Sequence, residues 1–134
     1  ERAIEMARNR IDRSGKIRKG EVKLRSVDKI FVQEGKTALF LEIGSICALK
    51  SEGNYTKICS LHGHGLVRRS IKYFENRLDP QEFFRANRSQ VINLKFVKDC
   101  KPCSGHRLLV SLEHGDPILL SRRQAQAFRQ MLQV

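Results

Sequence analysis

The sequence has no tryptophan, two tyrosines, three prolines and only 14 acidic residues against 26 lysines and arginines. It also has no apolar run approaching the roughly 20 residues that a bilayer-spanning helix requires. No basic stretch carries the wide apolar stripe of a helix lying on lipid, so a membrane-bound role is set aside. No secretory leader precedes the cysteines Cys47, Cys59, Cys100 and Cys103. They read as free thiols of a reducing, cytoplasmic compartment. The phosphate-loop glycine pattern, the nucleophile elbow and the zincin motif are all missing, and Glu34, Glu42, Glu52 and Asp79 form no recognisable carboxylate pair. No enzyme activity, catalytic residue or cofactor is therefore expected.

Metal binding fails on ligand count. Cys100-Lys-Pro-Cys103 with His106 nearby has the spacing of half a zinc site, but a structural site takes four ligands and no second C-x-x-C or H-x-x-x-H stretch supplies them. His62-Gly63-His64, with no Cys, Asp or Glu beside it, reads as a turn. Cys100 and Cys103, with Lys98 and Lys101 favouring thiolate, leave one alternative open, a thiol-redox signalling domain. Aromatic scarcity argues against a stacking platform for unpaired bases. A basic RNA- or single-strand-binding module nevertheless remains the other alternative.

What is present is positive charge. The formal net charge is +12 on 134 residues, and 40% apolar content suffices for one modest core. So basic a small domain carries the electrostatic footprint of a polyanion binder.

Residues 1–28 differ in texture from the remainder. Ile4, Ala7 and Ile11 recur at helical spacing, and Asp12 to Gly20 collects glycine and cations like a hinge. A helical linker and joint are expected there. Because the sequence opens on Glu1, an upstream domain is expected before them. From Lys29 onward, short apolar runs at Ile30–Val32, Ala38–Leu41 and Ile46–Leu49 are punctuated by Gly35 and Gly44, as strands with tight connections are. Gly53-Asn54 signals a turn, and Tyr55 to Arg69 reads as a hairpin with His62 to Gly65 at its tip. Ser70 is placed to cap a helix over Ile71 to Leu78, stopped by Pro80. Arg107 to Leu112 pairs with Pro117 to Leu120 across His114-Gly115-Asp116. Ser121 then caps a closing helix, Arg122 to Leu132, whose apolar set is Ala125, Phe128, Met131 and Leu132. The fold class expected from this pattern is mainly β with two short helices.

The stretch Phe83 to Leu94, FFRANRSQVINL, ties cations and amides directly to buried structure. Phe83, Phe84, Val91 and Ile92 anchor its flanks, and Arg85 and Arg88 bracket Asn87 at turn spacing. A second basic group, Arg122-Arg123, stands in the first turn of a helix. There it opposes the macrodipole by a few tenths to about 1 kcal/mol per cation, a conflict that a phosphate or base edge would relieve.

Three blocks in order, Gly53-Asn54-Tyr55-Thr56, then Phe84-Arg85-x-Asn87-Arg88-Ser89-x-Val91-Ile92-Asn93, then Leu120-Ser121-Arg122-Arg123, resemble the LytTR family. That family forms the DNA-binding output domain of many bacterial response regulators. The resemblance spans Lys29 to Leu132, giving a domain over 29–134, and departs at Gln90, where the family often has an aromatic residue. It implies an elongated arrangement of small, mostly antiparallel sheets whose loops enter the grooves of double-stranded DNA. It further implies an upstream receiver or sensor domain, and one small domain's few base contacts suggest paired copies on adjacent half-sites. Carried onto this sequence, the contacting positions are Thr56 with Lys57, Arg88, and Arg122. Arg122 suits a base, Arg88 a base or the backbone, and Thr56 a thymine methyl or a phosphate. Lys57, Arg85, Asn87, Asn54 and Arg123 suit phosphates. Asn87 is equally suited to bonding its own loop, and Arg85 to lying against a carboxylate such as Glu82.

Overall fold

The computed structural model describes residues 24–132, so the helical linker and most of the hinge expected over 1–28 lie outside the described residues. Two hairpins carry glycine at the first turn position. Strands β1 (Lys29–Glu34) and β2 (Thr37–Glu42) meet at Gly35-Lys36, while β3 (Ile46–Glu52) and β4 (Tyr55–Ser60) meet at Gly53-Asn54. Gly35 and Gly53 both have φ of 62°. Such a positive value at the first central residue matches a II′-type connection, whose twist suits antiparallel neighbours.

Strand β5 (Gly63–Val67) follows, then helix α1 (Ile71–Arg77), then a hairpin of β6 (Phe83–Asn87) and β7 (Gln90–Asn93). Strands β8 (Val97–Cys103), β9 (Arg107–Leu112) and β10 (Ile118–Leu120) lead into helix α2 (Arg122–Leu132). The larger sheet has the order β2-β1-β5-β4-β3-β7-β6 and the smaller β10-β9-β8. Every strand ladder is antiparallel.

Alternation along the strands divides the core in two. One face of the larger sheet buries Ile30, Val32, Leu41, Leu49, Ile58 and Val91 against Ile71 and Phe74 of α1 and Leu78 just after it. On the opposite face, at the β3-β7-β6 end, Ile92 and Ala86 pack with Leu108, Val110, Ile118 and Leu120 of the smaller sheet and with Ala125 and Phe128 of α2. Both helices have the expected serine caps: Ser70 Oγ accepts from the Tyr73 amide at 3.1 Å, and Ser121 Oγ from that of Gln124 at 3.3 Å.

Three details differ from the sequence reading, and one strand goes beyond it. The β4–β5 tip is Leu61-His62 alone, and Gly63 to Gly65 belong to β5. Gly65 is needed for close approach, since a Cβ there would lie 2.5 Å from the Gln33 carbonyl oxygen on β1. The polar segment Val97–Cys103 is a strand despite Pro102, because it lies at the edge of its sheet, where a missing N–H is tolerated. The basic block is itself a hairpin whose turn is only Arg88-Ser89. Met131 and Leu132, placed in the apolar set of the last helix, are 41% and 54% exposed.

A methyl added at residue 65 would force β1 away from β5, which are registered through the pair Gln33 and Leu66. Gly65→Ala is expected to lower unfolding free energy by about 1–3 kcal/mol, the usual range for overpacking. Urea denaturation of the variant beside the unaltered chain would check this.

Candidate nucleic-acid interface

Strand β6 has one residue too many for its partner. Arg85 faces Val91 and Asn87 faces Gln90, with the register shifting between them so that Ala86 is the extra residue. In a regular strand Arg85 and Asn87, two apart, would share a face. The bulge separates them. Arg85 turns toward α1, where its guanidinium pairs with Glu75. Asn87 turns the other way, and its Nδ2 donates to the Leu119 carbonyl on β10 at 2.7 Å.

These two side chains hold the turn between them. Arg85 Nε donates to the Asn87 carbonyl at 2.7 Å and a terminal nitrogen to the Arg88 carbonyl at 2.6 Å. Asn87 Oδ1 accepts from the Ser89 amide at 2.9 Å. Gln90 supports the same residue, its Oε1 accepting from Asn87 Nδ2 at 3.0 Å, so the amide standing where the family often has an aromatic has a polar partner. Arg85 therefore lies against a carboxylate, as one sequence reading had it, but on Glu75 rather than Glu82.

The chain entering α2 is stitched to the same strand. The Ser121 amide donates to the Ala86 carbonyl at 3.2 Å, and Gln124 Nε2 to the Arg85 carbonyl at 2.6 Å. Arg88, at the exposed turn, and Arg122-Arg123, at the exposed helix start, are thus neighbours in space although more than thirty residues separate them. The β3–β4 turn arrives at the same end, because β3 pairs with β7 and the Ser51 amide donates to the Ser89 carbonyl at 2.8 Å. Asn54 and Tyr55 are exposed there.

Thr56 has no surface to offer. It is fully buried, and its hydroxyl donates to the Arg69 carbonyl at 2.7 Å, fixing the segment that leads into α1. Lys57, one residue on, faces the opposite side of the sheet and stands directly across from Lys50. Like charges in register destabilise a strand pair, and Lys50 in turn lies beside Gln90. Sequence reasoning missed Lys50, yet a two-residue turn at Gly53-Asn54 places residue 50 opposite residue 57. It also missed Arg68 and Arg69, both exposed at the end of β5. The guanidinium of Arg68 lies 6.0 Å from the Tyr55 ring centre.

One rim therefore gathers Lys50, Lys57, Arg68, Arg69, Arg88, Arg122 and Arg123. Among the described residues, ion pairs are formed only by Arg25 with Asp28 and by Arg85 with Glu75, so none of the seven rim cations has a carboxylate partner. The rim can accept several acidic oxygens at once.

The cysteines lie elsewhere in the chain. Cys100 and Cys103 sit on a strand in regular register from Asp99 to Cys103. Three residues of extended chain separate their Cα atoms by about 10 Å and point the thiols to opposite faces. Disulfide geometry needs less than about 7 Å, so these two cannot join without moving the backbone. Burial, and secondarily Cys59, pushes the Cys47 thiol above its ordinary value; burial likewise raises Cys59. No cluster of three or more His, Cys, Asp or Glu side chains suited to a metal occurs among the described residues. No described helix is long and apolar enough to cross a membrane.

The architecture is a two-sheet antiparallel domain that presents unpaired cations on its turns and at one helix start. The family model for the LytTr DNA-binding domain matches residues 36–133, and the chain belongs to that family. It is 29% identical over 101 residues to the CO-responsive transcriptional regulator RcoM of Rhodospirillum rubrum, covering 75% of this chain and 43% of that protein. The chain thus spans less than half the length of this curated relative. In fold it resembles the LytTr DNA-binding domain of a Bacillus cereus protein described as a methyl-accepting/DNA response regulator. The TM-score is 0.73 at 21% identity, over 79% of this chain and 97% of that one.

Two outcomes follow from this geometry. Arg85→Gln removes the charged donors to the Asn87 and Arg88 carbonyls and is expected to cost about 1–2 kcal/mol, since half the site is open to water. Hydrogen exchange at the Ser89 amide should accelerate with it. Under native conditions iodoacetamide should label exposed Cys100 first and buried Cys47 only on unfolding, because a raised thiol pKa leaves little thiolate at neutral pH. Peptide mass spectrometry reads the order.

Proposed function

We propose that the domain binds double-stranded DNA sequence-specifically as the output module of a transcriptional regulator, presenting its rim of turns to the major groove. The observation that carries this reading is the stitching of the Arg88 turn to the start of α2 through Ser121–Ala86 and Asn87–Leu119. It brings two exposed arginines to one end of the molecule on backbone that cannot drift apart. Arg88 and Arg122 are the base readers, each able to grip guanine O6 and N7 with two donors for about 1–3 kcal/mol of discrimination. Lys50, Lys57, Asn54 and Arg123 meet phosphates and set register. Thr56, Arg85 and Asn87 act from behind, because their polar atoms are already engaged within the protein. Their part is to hold the reading groups in place.

One domain offers few base contacts, so two copies on adjacent half-sites are part of the proposal. An upstream receiver or sensor domain is another part, supported by the small share of the RcoM relative that this chain covers. A cytoplasmic location follows from where bacterial DNA is found.

The test is selection of bound duplexes from a random pool at fixed salt, followed by competition. Duplex DNA should outcompete RNA hairpins and single strands by orders of magnitude; the reverse ranking would overturn the proposal. With the selected site, Arg122→Ala should flatten preference at one base pair. Lys57→Ala should weaken selected and scrambled duplexes alike and reduce the slope of log K against log salt by about one.

A further inference from the structure

We propose that Arg69, Tyr73 and Arg77 form a second phosphate-binding ledge along α1, extending the DNA contact sideways from the rim; this rests on the reading of the domain as a duplex binder. The three residues follow one another at four-residue spacing, so they stack on one flank of the helix and the segment leading into it. Helical side chains lean toward the N-terminus. Arg77 accordingly lies back over Tyr73, its guanidinium carbon 4.8 Å from the ring centre, and Arg69 approaches the same ring at 4.6 Å. The lean carries the Arg77 charge about one helical turn nearer the rim than its own backbone.

Two cations on one tyrosine attract the ring and repel each other. Neither has an ion-pair partner among the described residues. Glu75, the acid within α1, is committed to Arg85. Lys72 adds a further exposed positive charge to the same helix. Arg77 Nε is buried and makes no hydrogen bond, while its guanidinium carbon lies over the Tyr73 ring. A duplex backbone supplies the missing anions.

The ledge is also rigid. The Tyr73 ring meets Phe74 edge-on at 5.2 Å, and Phe74 lies in the core beneath α1. The Arg69 carbonyl receives the buried Thr56 hydroxyl, which ties the ledge to the start of β4 at the rim. With guanidinium groups occupying the ring, Tyr73 has little open face on which a base could stack. The contact it supports is therefore with phosphate oxygens and independent of sequence.

The experiment measures affinity of the whole chain for its selected duplex and for a scrambled one, from about 50 to 200 mM salt. Arg77→Gln and, separately, the surface variant Arg69→Gln should each lose about three- to tenfold in affinity on both duplexes and reduce the salt slope by about one. Tyr73→Leu keeps every charge but releases the guanidiniums, and should lose affinity on both duplexes with the selected-to-scrambled ratio unchanged. Arg129→Gln, in the last turn of α2, lowers net charge equally and should leave affinity and slope as they were. If the unaltered chain binds duplex DNA while Arg77→Gln or Arg69→Gln retains full affinity and slope, or Arg129→Gln weakens binding as much, the ledge is refuted. If the unaltered chain binds no duplex, the reading of the domain itself fails instead.

Discussion

The structure depends on how strand β6 is held between two layers. Its bulge at Ala86 sends Arg85 to α1 and Asn87 to β10, while its backbone carbonyls receive the Ser121 amide and the Gln124 side chain. Remove those bonds and the smaller sheet with α2 would rest on the larger sheet by apolar contact alone. Apolar contact is non-directional, whereas the polar stitches fix the angle and distance between the Arg88 turn and the α2 start. The hydrophobic clusters explain why the layers adhere, and the hydrogen bonds explain why they adhere in one register.

The rim and the flank of α1 beside it carry charge arrangements that would be poor choices for stability alone. Lys50 opposes Lys57, Arg122 and Arg123 stand at the positive end of a helix, and Arg69 shares Tyr73 with Arg77. Each conflict is individually small, from a few tenths of a kcal/mol to about 1 kcal/mol for a surface site. Their concentration at one end is the informative fact, because a polyanion turns every one of them into an attraction. On the proposed reading, counterion release from a duplex favours binding in proportion to the cations presented.

Local chemistry was legible in the sequence and long-range chemistry was not. The glycine turns, the caps Ser70 and Ser121, and the alternating strands were readable because neighbours within a few residues determine them. So was the family, from three short blocks in order. The burial of Thr56 was not readable, since it depends on β5 delivering the Arg69 carbonyl above it. The separation of Arg85 from Asn87 required knowing that β6 carries an extra residue against β7. Strand β8 was hidden by its polar composition and Pro102, which only its place at the edge makes tolerable. Arg68 and Arg69 looked like an ordinary hairpin end until the register set Val67 opposite Thr56 and so carried both arginines to the Tyr55 end of β4.

The two-residue connection at Gly53-Asn54 has a bearing on how such domains can diverge. Strand side chains alternate with a period of two, so a slip of β4 by one residue against β3 would exchange the faces on which Thr56 and Lys57 lie, sending an ammonium group inward and a hydroxyl outward. Burial of Thr56 and Ile58 opposes that slip, so the strand and not the turn decides which side chains face outward. The letters of the turn are therefore free to vary while the faces of β4 stay as they are.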